Sequence, residues 1–283
     1  MIKIWIGRRE TDLLTYPSEY FDFSITYYGS NKNNNYSYDV NKRTCLKYDI
    51  NFFMFVIQKI TEITNGYNYS LFFYNARLAQ KLIKYDNKIL GHIKYCNSFE
   101  LLRWFNNKSY TRMWLSNYVS VPPFLLLSKH DCTIEFLSKS FPTFDKFALQ
   151  LNYSSGGTGT YILEKETASK TYNLLSDTIP YLVSPYIERS FSACCHLLIT
   201  ENNYVLFPIG MQYLKEAVLY RGTTYILPDD LRKEMPHIID FIDKIAILLS
   251  RCGYRGICGF DFLVTNKDIY MLEINPRYMG STF

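Results

Sequence analysis

The chain of 283 residues has no CxxC motif, no run of lysines and arginines, and no long apolar stretch. Each absence removes a class of function. Seven cysteines (Cys45, Cys96, Cys132, Cys194, Cys195, Cys252, Cys258) lack any His at zinc-ligand spacing, so no zinc module is indicated. An odd count without pattern fits reduced, buried thiols in a cytoplasm. The formal net charge of +5 is scattered, which gives no footprint for nucleic acid. No apolar run approaches the roughly 20 residues needed to cross a bilayer, so no membrane is expected. The opening "MIKIWIGRRETD" places charges directly after a short apolar run, unlike a signal peptide. The four histidines (His92, His130, His196, His237) share no motif, and no Ser/His/Asp or Cys/His set stands out. His196, beside Cys194 and Cys195, reads as a core or surface histidine, because neighbours on a strand point to opposite faces.

What is present is an alternation of elements. "MIKIWIG" reads as an opening strand and "YYGSNKNNNYSYDVNKRT" as a polar loop. "NFFMFVIQKITEIT" has helical periodicity behind a cap at Asn51. "YSLFFYN" reads as a strand and "ARLAQKLIKYD" as a helix. This pattern predicts a small α/β unit over residues 1–100. A helical stretch follows, broken near Asn106 and Asn107 and ended before Pro122 and Pro123. "FALQLNYSSGGTGTYILEKETASKTYNLL" reads strand, glycine-rich loop, strand, helix. Three strands come next, with turns at Glu188–Arg189 and 201–203. "PDDLRKEMPHIIDFIDKIAILLSRCGY" reads as one long amphipathic helix capped by Asp229 or Asp230. Arg189 and Arg221, near turns, read as solvated charges.

The chemistry lies in "GFDFLVTNKDIYMLEINPR", residues 259–277. Taken as a hairpin of strands 257–264 and 269–275, it sets Asp261 opposite Glu273 and Gly259 opposite Asn275. The period of two then puts Asp261, Glu273 and Asn275 on one face. Phe260, Phe262, Val264, Tyr270, Leu272 and Ile274 fall on the other. Facing carboxylates repel, and a hard divalent cation such as Mg²⁺ would relieve them. Arg277 adds a positive charge just beyond, a set suited to a metal-bound polyphosphate. "SSGGTGT", Ser154 to Thr160, offers backbone N–H groups and hydroxyls to anionic oxygens, but is neither a P-loop nor GxGxxG. An ordinary hairpin turn explains it equally well.

Together these segments resemble the ATP-grasp superfamily of ATP-dependent ligases, most specifically in "GICGFDFLVTNKDIYMLEINPR". The resemblance implies an α/β (α+β) fold: an N-terminal Rossmann-like domain over 1–100, then an ATP-grasp domain over 101–283 with lobes about 101–184 and 185–283. It implies that Asp261, Glu273 and Asn275 hold one or two Mg²⁺ ions, with Mn²⁺ as a substitute. Arg277 would contact phosphate or acylphosphate oxygens. Ser154, Ser155, Gly156, Gly157 and Gly159 match the lid over the ATP phosphates, and Lys108 a lysine that reaches them. Ser184, Tyr186 and Ile187 match the segment that meets adenine, with Ser184 where a Glu is usual; Gln212 falls in a further stretch along the nucleotide pocket. The implied activity is carboxylate–amine (or thiol) ligation through an acylphosphate, on small-molecule or peptide substrates, with an ATP-binding protein lacking ligase activity as the alternative. Two departures stand out. Gln150 occupies the place of a phosphate-binding Lys, so Gln150→Lys is expected to tighten ATP binding. The sequence also stops eight residues after Asn275, where the family continues, which implies a fragment or a minimal version.

Overall fold

The computed structural model describes residues 1–7, 21–27, 35–38, 50–74, 76–154, 157–189, 191–215 and 219–277. The first sheet contains β1 (Ile2–Gly7), β2 (Phe23–Tyr27), β3 (Asn35–Tyr38) and β4 (Tyr69–Phe73), all parallel, in the order β3-β2-β1-β4. Parallel sheets need cover, and their strands run apolar as a result. Helices α1 (Ile50–Thr64) and α2 (Ala76–Tyr85) share one core with them, built from Ile4, Ile6, Ile25, Phe52, Val56, Leu71 and Leu82. Two local expectations change. Asn35–Tyr38, read as loop, is an edge strand: Tyr38 packs on Phe52 and Tyr36 stacks on Phe23. Asn51 is no cap, because α1 already includes Ile50.

Helix α3 (Phe99–Asn106) is capped by Ser98, whose side chain accepts from the Leu101 N–H. It breaks at Asn107, whose backbone is extended (φ −84°, ψ 108°) and whose Oδ1 accepts from the Tyr110 N–H. That cap starts α4 (Lys108–Leu115) in a new direction. The second sheet is antiparallel: β5 (Leu125–Leu127), β6 (Lys146–Leu151), β7 (Thr160–Glu164) and β8 (Tyr181–Pro185), ordered β5-β8-β6-β7. Leu137 of α5 (Ile134–Ser140) joins Phe147, Leu149, Leu163 and Val183 in its core, and α6 (Ala168–Leu174) lies alongside.

The third sheet contains β9 (Phe191–Ile199), β10 (Tyr204–Leu206), β11 (Ile209–Lys215), β12 (Leu219–Ile226), β13 (Gly256–Val264) and β14 (Ile269–Asn275). Its order is β12-β11-β9-β13-β14, with β10 also paired to β9. The long helix expected from the sequence is two: α7 (Pro228–Glu234) and α8 (Pro236–Arg251). Pro236 has no N–H and excludes helical backbone at the residue before it; Met235 accordingly sits at φ −139°, ψ 62°. Asp229 and Asp230 lie in the first turn of α7 behind Pro228, where they complement the helix dipole rather than cap it. Ile239, Ile242 and Leu249 of α8 pack on Cys195, Leu197, Phe260 and Phe262, and Phe105 of α3 and Leu115 of α4 enter the same core.

The hairpin β13–β14 pairs Gly259 with Asn275 and Asp261 with Glu273, as the alternation indicates. Beyond that point the register slips by one, and Phe262 faces Met271. Leu272 is the extra residue of a β-bulge, so Met271, fully buried, takes the core position expected for Leu272 and Tyr270. The bulge leaves ladder groups that need other partners. The Met271 N–H donates to Ser120 O at 2.9 Å, and the Leu272 carbonyl accepts from the Arg112 guanidinium.

Candidate functional site

A cavity of about 530 Å³ opens among the three sheets. Tyr74, directly after β4, reaches it from the first sheet; Ala148, Gln150 and Ile162 line it from β6 and β7. The segment after β8 contributes Ser184, Pro185, Tyr186 and Ile187, and the third sheet contributes Gln212, Leu214, Asp261, Leu263, Glu273 and Asn275. Ala148, Ile162 and Leu263 give part of the lining an apolar surface, and Lys108, Asp261, Glu273 and Asn275, joined by hydrogen bonds and an ion pair, form its charged end. A mostly apolar cleft with a few convergent polar groups is the usual form of a small-molecule site.

At the charged end, each of the four carboxylate oxygens meets a donor from a neighbouring side chain. Gln212 Nε2 donates to Asp261 Oδ1 at 2.8 Å. Asn275 Nδ2 donates to Asp261 Oδ2 at 3.1 Å and to Glu273 Oε1 at 3.2 Å. Lys108 Nζ forms an ion pair with Glu273 Oε2 and donates to Ser154 O at 3.0 Å. The two acids respond differently. Burial, then the neighbouring Glu273 charge, pushes the Asp261 carboxyl well above the ordinary range. Burial also acts upward on Glu273, but the Lys108 ammonium and the hydrogen bonds from Lys108, Asp261 and Asn275 outweigh it and hold Glu273 below its ordinary value. Lys108 thus stands where a counter-cation is needed.

Lys108 is the first residue of α4, and that helix start is fastened to the glycine-rich loop. The Lys108 N–H donates to Asn152 O at 3.2 Å and the Ser109 N–H to Asn152 Oδ1 at 2.8 Å. Asn107 Nδ2 donates to the Tyr153 hydroxyl at 3.0 Å. In the loop itself, Ser154 and Gly157 line the cavity, whereas Gly159 closes the hairpin. Gly159 has φ +72°, and its carbonyl accepts from the Leu151 N–H at 3.0 Å; a Cβ there would lie 2.5 Å from Leu151 Cδ1. Ser155 and Gly156 lie outside the described residues.

The remaining candidates fall as follows. Tyr186 commits its N–H to Lys146 O at 2.8 Å, and its ring lies under Lys146 and Arg189. Gln212 orients Asp261 as well as lining the cavity. Arg277 lines the cavity, and its backbone N–H donates to Asn275 O at 2.8 Å. Arg189, read as solvated from its turn position, lines the cavity and donates to the Tyr186 hydroxyl at 2.8 Å. His196 is buried in β9, away from the cavity lining.

Arg112 is the residue that sequence reading missed. It lies one helical turn after Lys108, is 1% exposed and lines the cavity. Its Nε and Nη2 donate to Leu272 O at 3.4 and 3.2 Å, and Nη2 also donates to Gln150 Oε1 at 3.0 Å. Burial pushes its pKa down to about 10, opposed by the Glu273 charge, so it remains a cation at neutral pH. The signal available was its spacing: residues four apart on a helix share a face.

The donor set fits a hard divalent cation. Two facing carboxylates and an amide suit oxygen-coordinated Mg²⁺, and an ammonium already occupies the position of a counter-charge. Asn275 presently turns its N–H₂ toward the acids, so ligation through its oxygen needs the amide reversed. Among the described residues no group of three or more His, Cys, Asp or Glu side chains is placed to hold a metal ion, so a cation here would complete its shell with ligand or water oxygens. Among the described residues no helix is long and apolar enough to cross a membrane.

Comparison with known proteins gives a consistent result. A sequence model of the ATP-grasp domain matches residues 105–281. The arginine-specific carbamoyl phosphate synthase large chain of Geobacillus stearothermophilus is 25% identical over 133 residues, which is 46% of this chain and 12% of that much longer protein. Among solved structures, N5-carboxyaminoimidazole synthetase from Staphylococcus aureus complexed with ADP superposes with a TM-score of 0.67 at 14% identity, covering 99% of this chain and 71% of that one. The L-amino acid ligase from Bacillus licheniformis gives a TM-score of 0.64 at 14% identity, covering 99% and 68%. At such identities the likeness is one of fold.

Proposed function

Since the chain belongs to the ATP-grasp family, we propose that it is an ATP-dependent ligase joining a carboxylate to an amine or thiol through an acylphosphate, with an amino acid or peptide as substrate. The observation that carries this reading is the charged end of the cavity. Asp261 and Glu273 face each other with Asn275 beside them, while Lys108, Arg112 and Arg277 surround them.

In the proposed reaction a substrate carboxylate oxygen attacks the γ-phosphorus of ATP and ADP leaves. An amine nitrogen then attacks the acyl carbon, phosphate leaves and the nitrogen loses a proton. A divalent cation on Asp261, Glu273 and Asn275 would neutralise phosphate charge. The chain's own part is placement and charge. In this reading the base rests against the apolar lining of Ala148, Ile162 and Leu263, and the phosphates face Ser154 and Gly157, which line the same cavity. Lys108 and Arg277 offset negative charge that grows during transfer. Phosphoryl transfer asks for little more than this.

ADP release over a panel of amino acids and peptides, paired with amine acceptors, tests the reading. The parent should release ADP only with acid and acceptor together. Asp261→Asn and Glu273→Gln should lose at least a hundredfold in rate while remaining folded, with a cooperative unfolding transition. Undiminished turnover in the double variant would sink the metal assignment. Nucleotide binding without turnover across the panel would favour the alternative of an ATP-binding protein without ligase activity, to which Gln150 points.

A further inference from the structure

We infer that Arg112 and Gln150 form one phosphate-binding unit, in which Arg112 carries the positive charge and Gln150, oriented by it, supplies a neutral donor. This rests on the ATP-binding reading above. Gln150 Oε1 accepts from Arg112 Nη2 at 3.0 Å, which fixes the amide so that its N–H₂ is the group left to face the cavity. Arg112 in turn is held by the carbonyl freed at the Leu272 bulge. Two of its three nitrogens are thus used, while Nη1 is buried and has no hydrogen-bond partner among the described residues.

A purely structural role explains this arrangement poorly. A bulge carbonyl needs one donor, and a neutral side chain or water provides it without burying a guanidinium. A buried cation is normally matched by a direct carboxylate partner. Among the described residues Arg112 has none within ion-pair distance, and Glu273, already paired to Lys108, acts on it only at longer range. A cavity-lining cation with an unmatched N–H group is suited to an anionic ligand, and guanidinium N–H groups are strong donors to phosphate oxygens.

The unit also explains why glutamine is tolerable in β6. A lysine at 150 would bring an ammonium against the Arg112 guanidinium, and the Oε1 acceptor that Arg112 uses would be lost. The sign expected from sequence for Gln150→Lys therefore reverses.

Calorimetric titration of the full chain with Mg²⁺ and either a non-hydrolysable ATP analogue or adenosine tests the pair. Gln150→Lys should weaken analogue binding about tenfold or more, and so should Arg112→Gln. The double variant Gln150→Lys/Arg112→Gln should recover most of the parent affinity, because one cation is restored without a clash. Gln150→Glu should lose about a hundredfold, since its carboxylate satisfies Arg112 but cannot donate to phosphate. Adenosine affinity should be the same in all, a discrimination that a merely structural role would not produce. If Arg112→Gln fails to fold, Gln150→Lys and Gln150→Glu, which retain Arg112, decide the matter. A parent that binds adenosine and the analogue, with Gln150→Lys tighter for the analogue, overturns the pair alone. A parent that binds neither ligand overturns the ATP reading and the pair with it.

Discussion

Replacing Lys108 by Met removes the ammonium that pairs directly with Glu273. Methionine keeps most of the lysine stem, so packing at the start of α4 is preserved while the ammonium is lost. The Lys108 and Glu273 side chains are only 7% and 17% exposed, so this is a buried pair. Removing one partner of such a pair costs about 3–5 kcal/mol, because the other charge stays behind. The lower end applies here: Asp261 already holds its proton to higher pH than usual, and Asn275 still donates to Glu273. A chain of this size loses roughly 2 °C per kcal/mol, so Lys108→Met should unfold about 6 °C below the parent. Mg²⁺ without nucleotide should then act oppositely on the two proteins. In the parent the ammonium competes for Glu273 and the ion should raise the unfolding temperature little. In the variant the ion meets an uncompensated carboxylate and should restore several degrees. Thermal unfolding at pH 7.5 with and without Mg²⁺ measures both effects. A drop below 1 °C, or equal protection of parent and variant by Mg²⁺, would refute the reasoning.

Two further outcomes follow from titrating groups. Asp261 has a raised pKa, so its proton contributes stability at low pH and that contribution is lost as pH rises through its folded pKa. A cation bound there must displace the proton, so Mg-nucleotide binding should release protons increasingly as pH falls through the Asp261 pKa, and Asp261→Asn should remove that pH-dependent release. Calorimetry in buffers of different ionisation enthalpy reads this directly, and buffer-independent heats would contradict it. His196 is buried in β9, and burial pushes its pKa from 6.5 down to about 4. The neutral form is favoured in the fold, so the contribution is complete above pH 6.5 and fades as pH falls toward 4, by about 3 kcal/mol in all. Urea midpoints at pH 7.5 and 4.5 should differ more for the parent than for His196→Asn; an equal difference in both would count against it.

The hairpin shows how far local pattern carries. Alternation alone set Asp261 opposite Glu273 with Asn275 on the same face, because a strand's side chains have a period of two and any slip would bury the acids' face. The same rule failed one step later. The bulge at Leu272 depends on acceptors and donors from elsewhere, Ser120 O for the Met271 N–H and Arg112 for the Leu272 carbonyl, and no window of the hairpin sequence contains them. The split at Pro236 was legible in principle, since proline forbids the continuation that the apolar periodicity suggests. The strand at Asn35–Tyr38 was not, because polar asparagines mask an edge position that is defined by pairing with β2 and by packing on Phe52.

For the site, sequence order supplied the chemistry of each wall separately: two acids and an amide on a hairpin, glycines between β6 and β7, a lysine opening a helix. Their meeting is a tertiary result. Lys108 reaches Glu273 across more than half the chain because α4 docks against β14, and Arg112 of the same helix reaches Gln150 on β6 of a different sheet. Read along the chain, Gln150 looks like a lost charge. In the fold it is the neighbour of a buried guanidinium, since electrostatic partnership is decided by distance in space and by desolvation, neither of which is written in the order of residues.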